Sequence, residues 1–595
     1  MIKFPYGISD FYKLVTGGYF YVDRTDRIPL IEEMGDQLLF LRPRRFGKSL
    51  LLSMLENYYD VAKAEAFEQL FGHLAIGRNP TPLRNQYLVM KWDFSVVDPQ
   101  GSAQEVKRAL HDHINAQITI FAQRYQDVLK FPVRIDEGNA IASLESVSGT
   151  VRQSPYRLYL LIDEYDNFAN EVMMSGRSKS RADYDDLVSS EGSLKTVFKA
   201  VKAAGSGGGL DRAFITGVSP IVMSDMTSGY NIAKNIYLKS QFNDLCGFWE
   251  TEIAGALHQI VAECGFAPEK AAEALTMMRT FYNGYCFSYD TDDLVYNPTL
   301  ALYFMDDFQE RCQSPYNMLD SNFSMDQAKI AYVARLPNGK RLILDAAQDE
   351  TPVSVSRLED RFGVAKMLAA THDTRFLASL LYYLGVLTLG GWTPHGELIL
   401  QIPNLVARRL YLEQIQQVLL PDSLDQEQGR RAAKALYQMG DMQPLCDFVE
   451  QRYFKVLDNR DYRWANEMTV KTAFLTLLFN DTFYIVDSET ALERGYADLT
   501  LIVRPEMRQY QLLDILIEFK YVKLGDEGLS GEQARRMSTA ELKELPHIQR
   551  QLSAAEKKLQ NYRASLEAKY GEKLRLQSYA VVALGFDRLV WQECV

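Results

Sequence analysis

Residues Phe40 to Leu52 read FLRPRRFGKSLLL. The spacing is that of a phosphate-binding loop, GxxxxGK[ST], running into a helix, except that Arg42 stands where the first glycine belongs. Gln37 to Leu41 form a short apolar run before it, and LLLSML continues after it at helical spacing. Strand, loop, helix is the context such a loop requires. Gly47 lets the backbone approach phosphates without a Cβ in the way. Lys48 supplies a point charge, Ser49 offers a hydroxyl to Mg²⁺, and the helix N-terminus adds amide donors and a favourable dipole. Arg44 and Arg45 either touch phosphate or pair with the acidic segment considered next. The lost glycine alters how the loop enters its turn, and Pro43, by fixing φ, can substitute through rigidity. The groups with electrostatic roles all survive, so the loop is expected to hold ATP with Mg²⁺.

A second segment supports this. YRLYLLIDEYDN places an unbroken apolar run, Leu158 to Ile162, directly before Asp163 and Glu164. Such a run is what a strand buried on both faces shows. In an open parallel sheet, ligands sit at the carboxyl ends of strands. Asp163 is therefore placed to hold Mg²⁺, and Glu164 is the candidate base that polarises an attacking water. An acidic pair after a strand also resembles a helix cap, but the GKS upstream favours the first reading. QYLVMKWDF (Gln86 to Phe94) and RAFITGVSP (Arg212 to Pro220) are expected to join the same sheet. Thr216 either senses the γ-phosphate or starts the turn that Gly217 continues.

The bulk numbers set limits. With 595 residues the chain exceeds one core, and a prior of roughly 150 residues per domain suggests three or four. A net charge of −12 argues against a basic coat but not against a local basic groove. The six cysteines form no CxxC pair, so neither a zinc site nor a disulfide framework is expected, and a reducing cytoplasm fits. His111 and His113 read as a solvated helix surface with the two rings on different faces. The longest apolar stretch, Phe376 to Trp392, is broken by serine, tyrosines and glycines and reads as core helix then strand, not as a membrane span. Met173 to Gly192 is polar and mixed in charge, either an ordinary surface excursion or a cover for the nucleotide. Lys202 to Asp211 is a glycine-rich connector, and the aromatic segments FYNGYCF (Phe281 to Phe287) and VYNP (Val295 to Pro298) read as packing and turn elements.

Near the far end three pieces converge. EMTVKTAFLTLLF (Glu467 to Phe479) has Val470, Phe474, Leu477 and Leu478 on one helix face, with Glu467 near its edge. YADLTLIV (Tyr496 to Val503) reads as a strand entered near Asp498, and LLDILIEFKYVK (Leu512 to Lys523) as its partner. Glu518 and Lys520 are two apart and share a face, while Phe519 points the other way. If the strands pair, Asp498 approaches Glu518, and two such carboxylates repel unless a cation lies between them. Mg²⁺ suits them, and Lys520 would orient or help deprotonate a bound water. The same pattern also arises as alternating charge on an edge strand. Gly525 to Pro546 is expected to be loop or loose helix, and Ser578 to Leu584 a final strand.

YFYVDRT (Tyr19 to Thr25), RPRRFGKSLLLSML, LLIDEYDN, FITGVSP, FYNGYCF, VYNP, LYYLGVLTL and IPN (Ile402 to Asn404) together resemble the AAA-ATPase-like family. Many of its members carry a PD-(D/E)xK nuclease-like domain at the C-terminus. The loop form RPRRFGKS, with arginine in place of glycine, is similar to theirs. The later D…ExK arrangement resembles the nuclease core, with Ala497 in place of the motif's proline. By that resemblance Glu467 matches an acidic residue of the first helix. Gln560 and Tyr562 match polar positions on a later one, where Gln551 competes with Gln560.

The resemblance implies an α/β fold: a P-loop NTPase parallel sheet (residues 1–240), a helical lid region (241–404), a helical connector (405–453) and a C-terminal α/β PD-(D/E)xK nuclease-like domain (454–595). The implied function is an ATPase controlling a Mg²⁺- or Mn²⁺-dependent phosphodiesterase on DNA or RNA, in the cytoplasm and away from membranes. The alternative is a nucleotide-dependent switch or scaffold that binds nucleic acid or protein without cleaving. A homo-oligomer or protein partner is left open, and no helicase-type motif suggests a motor.

Overall fold

The short apolar runs of the N-terminal half become strands because each is long enough for one pass and too short for a core helix. In the structure, a computed structural model, they are β1 (Gln37–Leu41), β2 (Tyr87–Asp93), β3 (Arg157–Asp163) and β4 (Leu210–Gly217), joined by a polar two-residue strand, β5 (Lys234–Asn235). All neighbouring pairs are parallel, in the order β2-β3-β4-β1-β5. Residues 1–98, 103–167, 193–220, 232–319, 325–336, 338–347, 353–360, 373–457, 467–487, 490–492 and 495–594 are described. The Met173 to Gly192 excursion lies outside them.

The chain divides into two compact units. The first comprises Met1–Gln313, Ala328–Leu342 and Val353–Asn404, the second Ser314–Gln327, Ile343–Pro352 and Leu405–Val595. In the first unit β3 is buried from Leu158 to Asp163, as the apolar run requires. β4 lies between β3 and β1, so the loop after β1 opens beside the carboxyl ends of β4 and β3. The helix Lys48–Tyr59 follows that loop directly.

Arg42 is the residue that shapes the loop. It is 1% exposed. Its Nη1 donates to the carbonyls of Leu41 (2.9 Å) and Tyr237 (2.8 Å), and its Nη2 to those of Phe242 (2.6 Å) and Asn243 (3.4 Å). The guanidinium lies over Phe40 and Phe287, at 4.5 and 4.1 Å from the ring centroids. Burial pushes it down to about 10, so it stays charged at neutral pH. Arginine at the glycine position is thus a pin joining the loop to the 237–243 segment. The turn itself relies less on the rigidity of Pro43 than the sequence suggests.

Downstream, the helices Glu250–Cys264, Glu269–Tyr282, Pro298–Arg311 and Thr374–Tyr383 dominate, as expected. An antiparallel sheet was not expected: β6 (Val353–Val355), β7 (Thr388–Trp392) and β8 (Leu398–Gln401), in the order β6-β8-β7. The long apolar stretch splits into the Thr374–Tyr383 helix and β7, and among the described residues no helix is long and apolar enough to cross a membrane. The aromatic segments do pack: Phe46 of the loop meets Tyr285 and Phe287 edge-on at 5.0 and 5.1 Å. Gly284, at φ +114, allows the carbonyl of Pro403 to approach where a Cβ would clash.

Two expectations are corrected here. His111 and His113 do point to different faces, but neither is solvated in the sense expected. His111 is buried and its Nδ1 accepts from the N–H of Ala140, while His113 Nε2 accepts from the N–H of Asp93. Desolvation lowers both pKa values, as neutral acceptors need. Cys264 and Cys312 form a disulfide, although no CxxC spacing announces one. The fold brings together the C-terminal ends of two helices 48 residues apart in sequence.

The second unit is built on a mixed sheet. β9 (Tyr484–Asp487), β12 (Leu499–Val503), β13 (Asp514–Val522), β14 (Leu576–Leu584) and β15 (Arg588–Cys594) lie in the order β15-β14-β13-β12-β9, and β10 (Thr490–Leu492) pairs with β11 (Gly495–Ala497) in a separate hairpin. Only β13 and β14 are parallel, and the helix Pro546–Tyr570 makes the crossover a parallel pair needs. That helix covers the even-numbered face of β13 through Leu516 and Val522. Phe519 on the other face meets Phe474 of the Glu467–Leu478 helix at 5.0 Å.

β15 extends the sheet beyond the strand expected to be last. Gly525 to Pro546 is more ordered than expected. Ser530 and Ser538 cap short helices, Gly531–Arg536 and Thr539–Lys543, which bury Ala534 and Leu542.

Replacing Arg42 with alanine leaves several buried carbonyls without donors, at ~1–3 kcal/mol each. Urea denaturation of the full chain should show the R42A transition of the first unit at lower urea, by about 3 kcal/mol or more. R42G, which restores the usual loop glycine, should fare no better; an unchanged midpoint in both would contradict the pin.

Candidate functional site

Each unit presents a site, and the first is built on the loop after β1. Gly47 adopts φ 90° as the residue preceding the helix, a left-handed conformation that disfavours any side chain although nothing crowds the position. Lys48 is 5% exposed and donates to the carbonyls of Arg42 and Pro43, both at 3.0 Å. Desolvation lowers its pKa, while Asp163 and Glu164 oppose the shift. A cavity of about 300 Å³ is lined by Arg45, Phe46, Gly47, Lys48, Ser49 and Glu164, together with Tyr21, Phe248 and Thr299. Its lining combines cationic side chains and hydroxyls with aromatic residues.

Asp163 and Thr216 do not line that cavity. Both are buried, and the Thr216 hydroxyl donates to Asp163 Oδ1 at 2.7 Å. The hydroxyl is committed to holding this carboxylate, a role neither reading of the sequence foresaw. The N–H of Glu164 donates to the same oxygen at 3.0 Å. Glu164 itself has φ 48°, a strained backbone for a residue with a side chain. Desolvation raises its carboxyl, with Lys48 and Arg44 opposing.

Sequence reasoning missed how the rest of this segment is used. Asp166 accepts from the N–H groups of Val218 and Ser219 and from the Ser219 hydroxyl, and Tyr165 donates to the Ser219 carbonyl at 2.6 Å. The acidic motif is thereby stitched to the end of β4. The Arg44 side chain donates to Asn167, and the Arg45 backbone carbonyl accepts from the Thr299 hydroxyl.

The second site lies on β13. β12 and β13 pair antiparallel with Leu499 opposite Ile517. Asp498, one residue before, and Glu518, one after, therefore stand across from each other. Asp498 Oδ2 accepts from the N–H of Phe519 at 2.7 Å. Glu518 is 0% exposed. Lys520 Nζ lies 2.9 Å from Glu518, 3.2 Å from Glu467 and 4.0 Å from Asp498. The structure thus brings together Glu467, Asp498, Glu518 and Lys520.

A fifth was missed: Lys558 Nζ donates to Glu518 Oε1 at 2.6 Å. Its signal was helical spacing, since Lys558 and Tyr562 lie one turn apart on the helix that covers β13. Tyr562 is 5% exposed, and Glu518 and Asp498 contribute to raising its pKa after desolvation. Gln560 is exposed and two residues beyond Lys558, which turns it off this face.

The electrostatics are those of charge kept from water. Desolvation raises the pKa of Glu518, with Asp498 adding repulsion, and desolvation also raises that of Glu467. For Lys520 desolvation works downward, but Glu518, Glu467 and Asp498 outweigh it and the pKa rises. Both ammonium groups reach Glu518 Oε1, whereas Oε2 is buried and has no hydrogen-bond partner. That orphaned oxygen next to Asp498 fits a hard cation. Among the described residues no three His, Cys, Asp or Glu side chains group closely enough to hold a metal. Two facing carboxylates suit an ion that keeps several waters of its own.

Residues 5–227 match the family model for a predicted AAA-ATPase, and residues 465–585 that of the PD-(D/E)XK nuclease superfamily. The chain is 29% identical over 318 residues to an uncharacterized protein in the vnfD 5′ region of Azotobacter chroococcum mcd 1, covering 53% of each. It thus spans about half the length of that curated relative. Among solved structures it is similar to the Walker-type ATPase paby2304 of Pyrococcus abyssi, with 12% identity, TM-score 0.40, and 66% of this chain and 96% of that one covered. It is also similar to the Aeropyrum pernix ORC2 protein, with 11% identity, TM-score 0.34, and 68% and 97% covered. The chain carries an AAA-ATPase-like domain and, at its C-terminus, a PD-(D/E)XK nuclease-superfamily domain.

The raised carboxyl of Glu518 sets two pH dependences. Without metal, the group adds stability below its ordinary value of 4.5, and that contribution is lost as pH rises through the raised folded-state value. Metal binding needs the carboxylate, so it strengthens over the same rise. Thermal melts of the full chain should show Mn²⁺ stabilising the second unit at pH 8, less at pH 5, and not at all in E518Q. Equal stabilisation of parent and E518Q would remove Glu518 from the ligand set.

Proposed function

We propose that the protein binds and hydrolyses ATP at the loop after β1 and cuts phosphodiester bonds of DNA or RNA at the Asp498–Glu518 site, the first activity controlling the second. The observation that carries the nuclease reading is the meeting of Glu467, Asp498, Glu518 and Lys520, with one buried carboxylate oxygen of Glu518 left without a donor. Asp498 and Glu518 would hold Mg²⁺ or Mn²⁺, and such an ion lowers the pKa of a bound water and offsets charge building on phosphate.

The chain's own groups do the rest. The Phe519 N–H holds Asp498 by one carboxylate oxygen. Lys520, held charged by three carboxylates, is placed to orient a water and to meet a non-bridging phosphate oxygen. Lys558 shares Glu518 with Lys520, which balances the second carboxylate charge. Glu467 tethers Lys520 from the neighbouring helix.

In the first unit Lys48, Ser49 and the helix amides would receive the phosphates. Binding a phosphate there must draw the Lys48 ammonium from the carbonyls of Arg42 and Pro43. Asp163 would act on Mg²⁺ and Glu164 on the attacking water. A cytoplasmic setting supplies both nucleotide and nucleic acid.

Single- and double-stranded DNA and RNA, each incubated with Mg²⁺ or Mn²⁺ with and without ATP, test this reading. Cleavage should require the metal and fall at least about 10²-fold in D498A and K520A. K48A should lose ATP binding and the ATP dependence of cleavage, not the nuclease site itself. A full chain that binds ATP but cuts no nucleic acid under any metal would instead be a nucleotide-dependent switch.

A further inference from the structure

The second unit has another concave surface, at the end of the Glu467–Leu478 helix opposite Glu467. It is a groove of about 780 Å³, and Leu477 and Phe479 form part of its floor. At 1.5 Å per residue, the ten residues from Glu467 to Leu477 span about 15 Å along the helix.

Five aromatic residues line it, Tyr316, Tyr437, Phe479, Phe483 and Tyr510, and three of them form a run of ring contacts. Phe483 is half-buried and lies between Tyr316, at 6.4 Å and 82°, and Tyr510, at 6.0 Å and 85°. The two tyrosines are unusually open for their size, 47% and 46% exposed. Arg430 and Lys434 stand one turn apart on the Ser423–Met439 helix, both exposed, and among the described residues neither forms an ion pair. Arg431 next to them does, with Glu427 at 2.7 Å. Among the described residues no aspartate or glutamate lines the groove, in a chain of net charge −12. The described lining of the groove thus combines aromatic rings with cations in a chain that is acidic as a whole.

We propose that this groove binds a single strand of DNA or RNA, with bases stacked on Tyr510, Phe483 and Tyr316 and phosphates met by Arg430 and Lys434. Stacking on rings needs bases that are not already stacked in a duplex, which selects a single strand over a double one. Two exposed cations one turn apart, neither in an ion pair among the described residues, suit a polyanion better than an apolar partner. The proposal draws on the nuclease reading only for the class of ligand, and its location is independent of the Asp498–Glu518 site. It assigns the groove as an anchor that holds a strand a helix length from the reacting phosphate.

Fluorescence anisotropy of the full chain with labelled oligothymidylate and oligouridylate, in chelator so that nothing is cut, tests it. Y510A and Y316A, both surface changes, should each weaken single-strand binding about fivefold or more while the melting temperature holds. Changing Arg430 and Lys434 together to glutamine should reduce the slope of log affinity against log salt by about 1.4. A duplex of equal length should bind more weakly than the single strand. Parental affinity and salt slope in all these variants would overturn the groove, as would an affinity confined to acidic peptides. The two proposals fail separately: strand binding lost in Y510A, with no cleavage by the parent under any metal, upholds the groove and removes the nuclease; metal-dependent cleavage with full strand affinity in Y510A does the reverse.

Discussion

A carboxylate on a central strand, taken fully out of water beside a second carboxylate, is the constraint around which the second unit is organised. Glu518 is 0% exposed and faces Asp498 across the β12–β13 pair. Left alone, two such charges would favour protonation or unfolding. The surrounding chain answers with Lys520 from the same strand and Lys558 from the covering helix, both on one oxygen. The other oxygen receives nothing. An ordinary structural ion pair would satisfy both, since a half-satisfied buried carboxylate is costly. The arrangement makes sense when a cation completes it.

The first unit solves a different problem with a buried charge. A phosphate loop normally turns on a glycine, and here Arg42 occupies that place. Its guanidinium is spent on four backbone carbonyls and two aromatic faces. The loop's entry is thereby fastened to the 237–243 segment, while its exit, Gly47 to Ser49, keeps the conventional form. The charge at this position is structural, and the cavity keeps Lys48 as its buried ammonium.

Much of this was legible because apolar runs of strand length stand next to polar residues of fixed spacing. β1 and β3 could be placed from LLFL and LYLLI, and the two-residue step from Glu518 to Lys520 set them on one face of β13. Other features depend on contacts between distant segments. Nothing local marks Thr216 as the partner of Asp163, since a threonine ending a strand is equally at home in a turn. Lys558 sits on a helix rich in charge, and only the crossover onto β13 selects it from its neighbours. The pairing of Cys264 with Cys312 and the buried roles of His111 and His113 likewise come from helix ends and faces that meet only in the folded chain. The capped helices after Gly525 escaped for a simpler reason: at six and five residues they carry too little periodicity to be told from loop.

The central claim is that Asp498 and Glu518 share one divalent ion. Anomalous diffraction from crystals of the full chain soaked in Mn²⁺ tests it most directly. The account predicts a single strong peak between the two carboxylates, within bonding distance of Glu518 Oε2. A peak elsewhere in this unit, or none with the carboxylates still bridged by lysine alone, would contradict it.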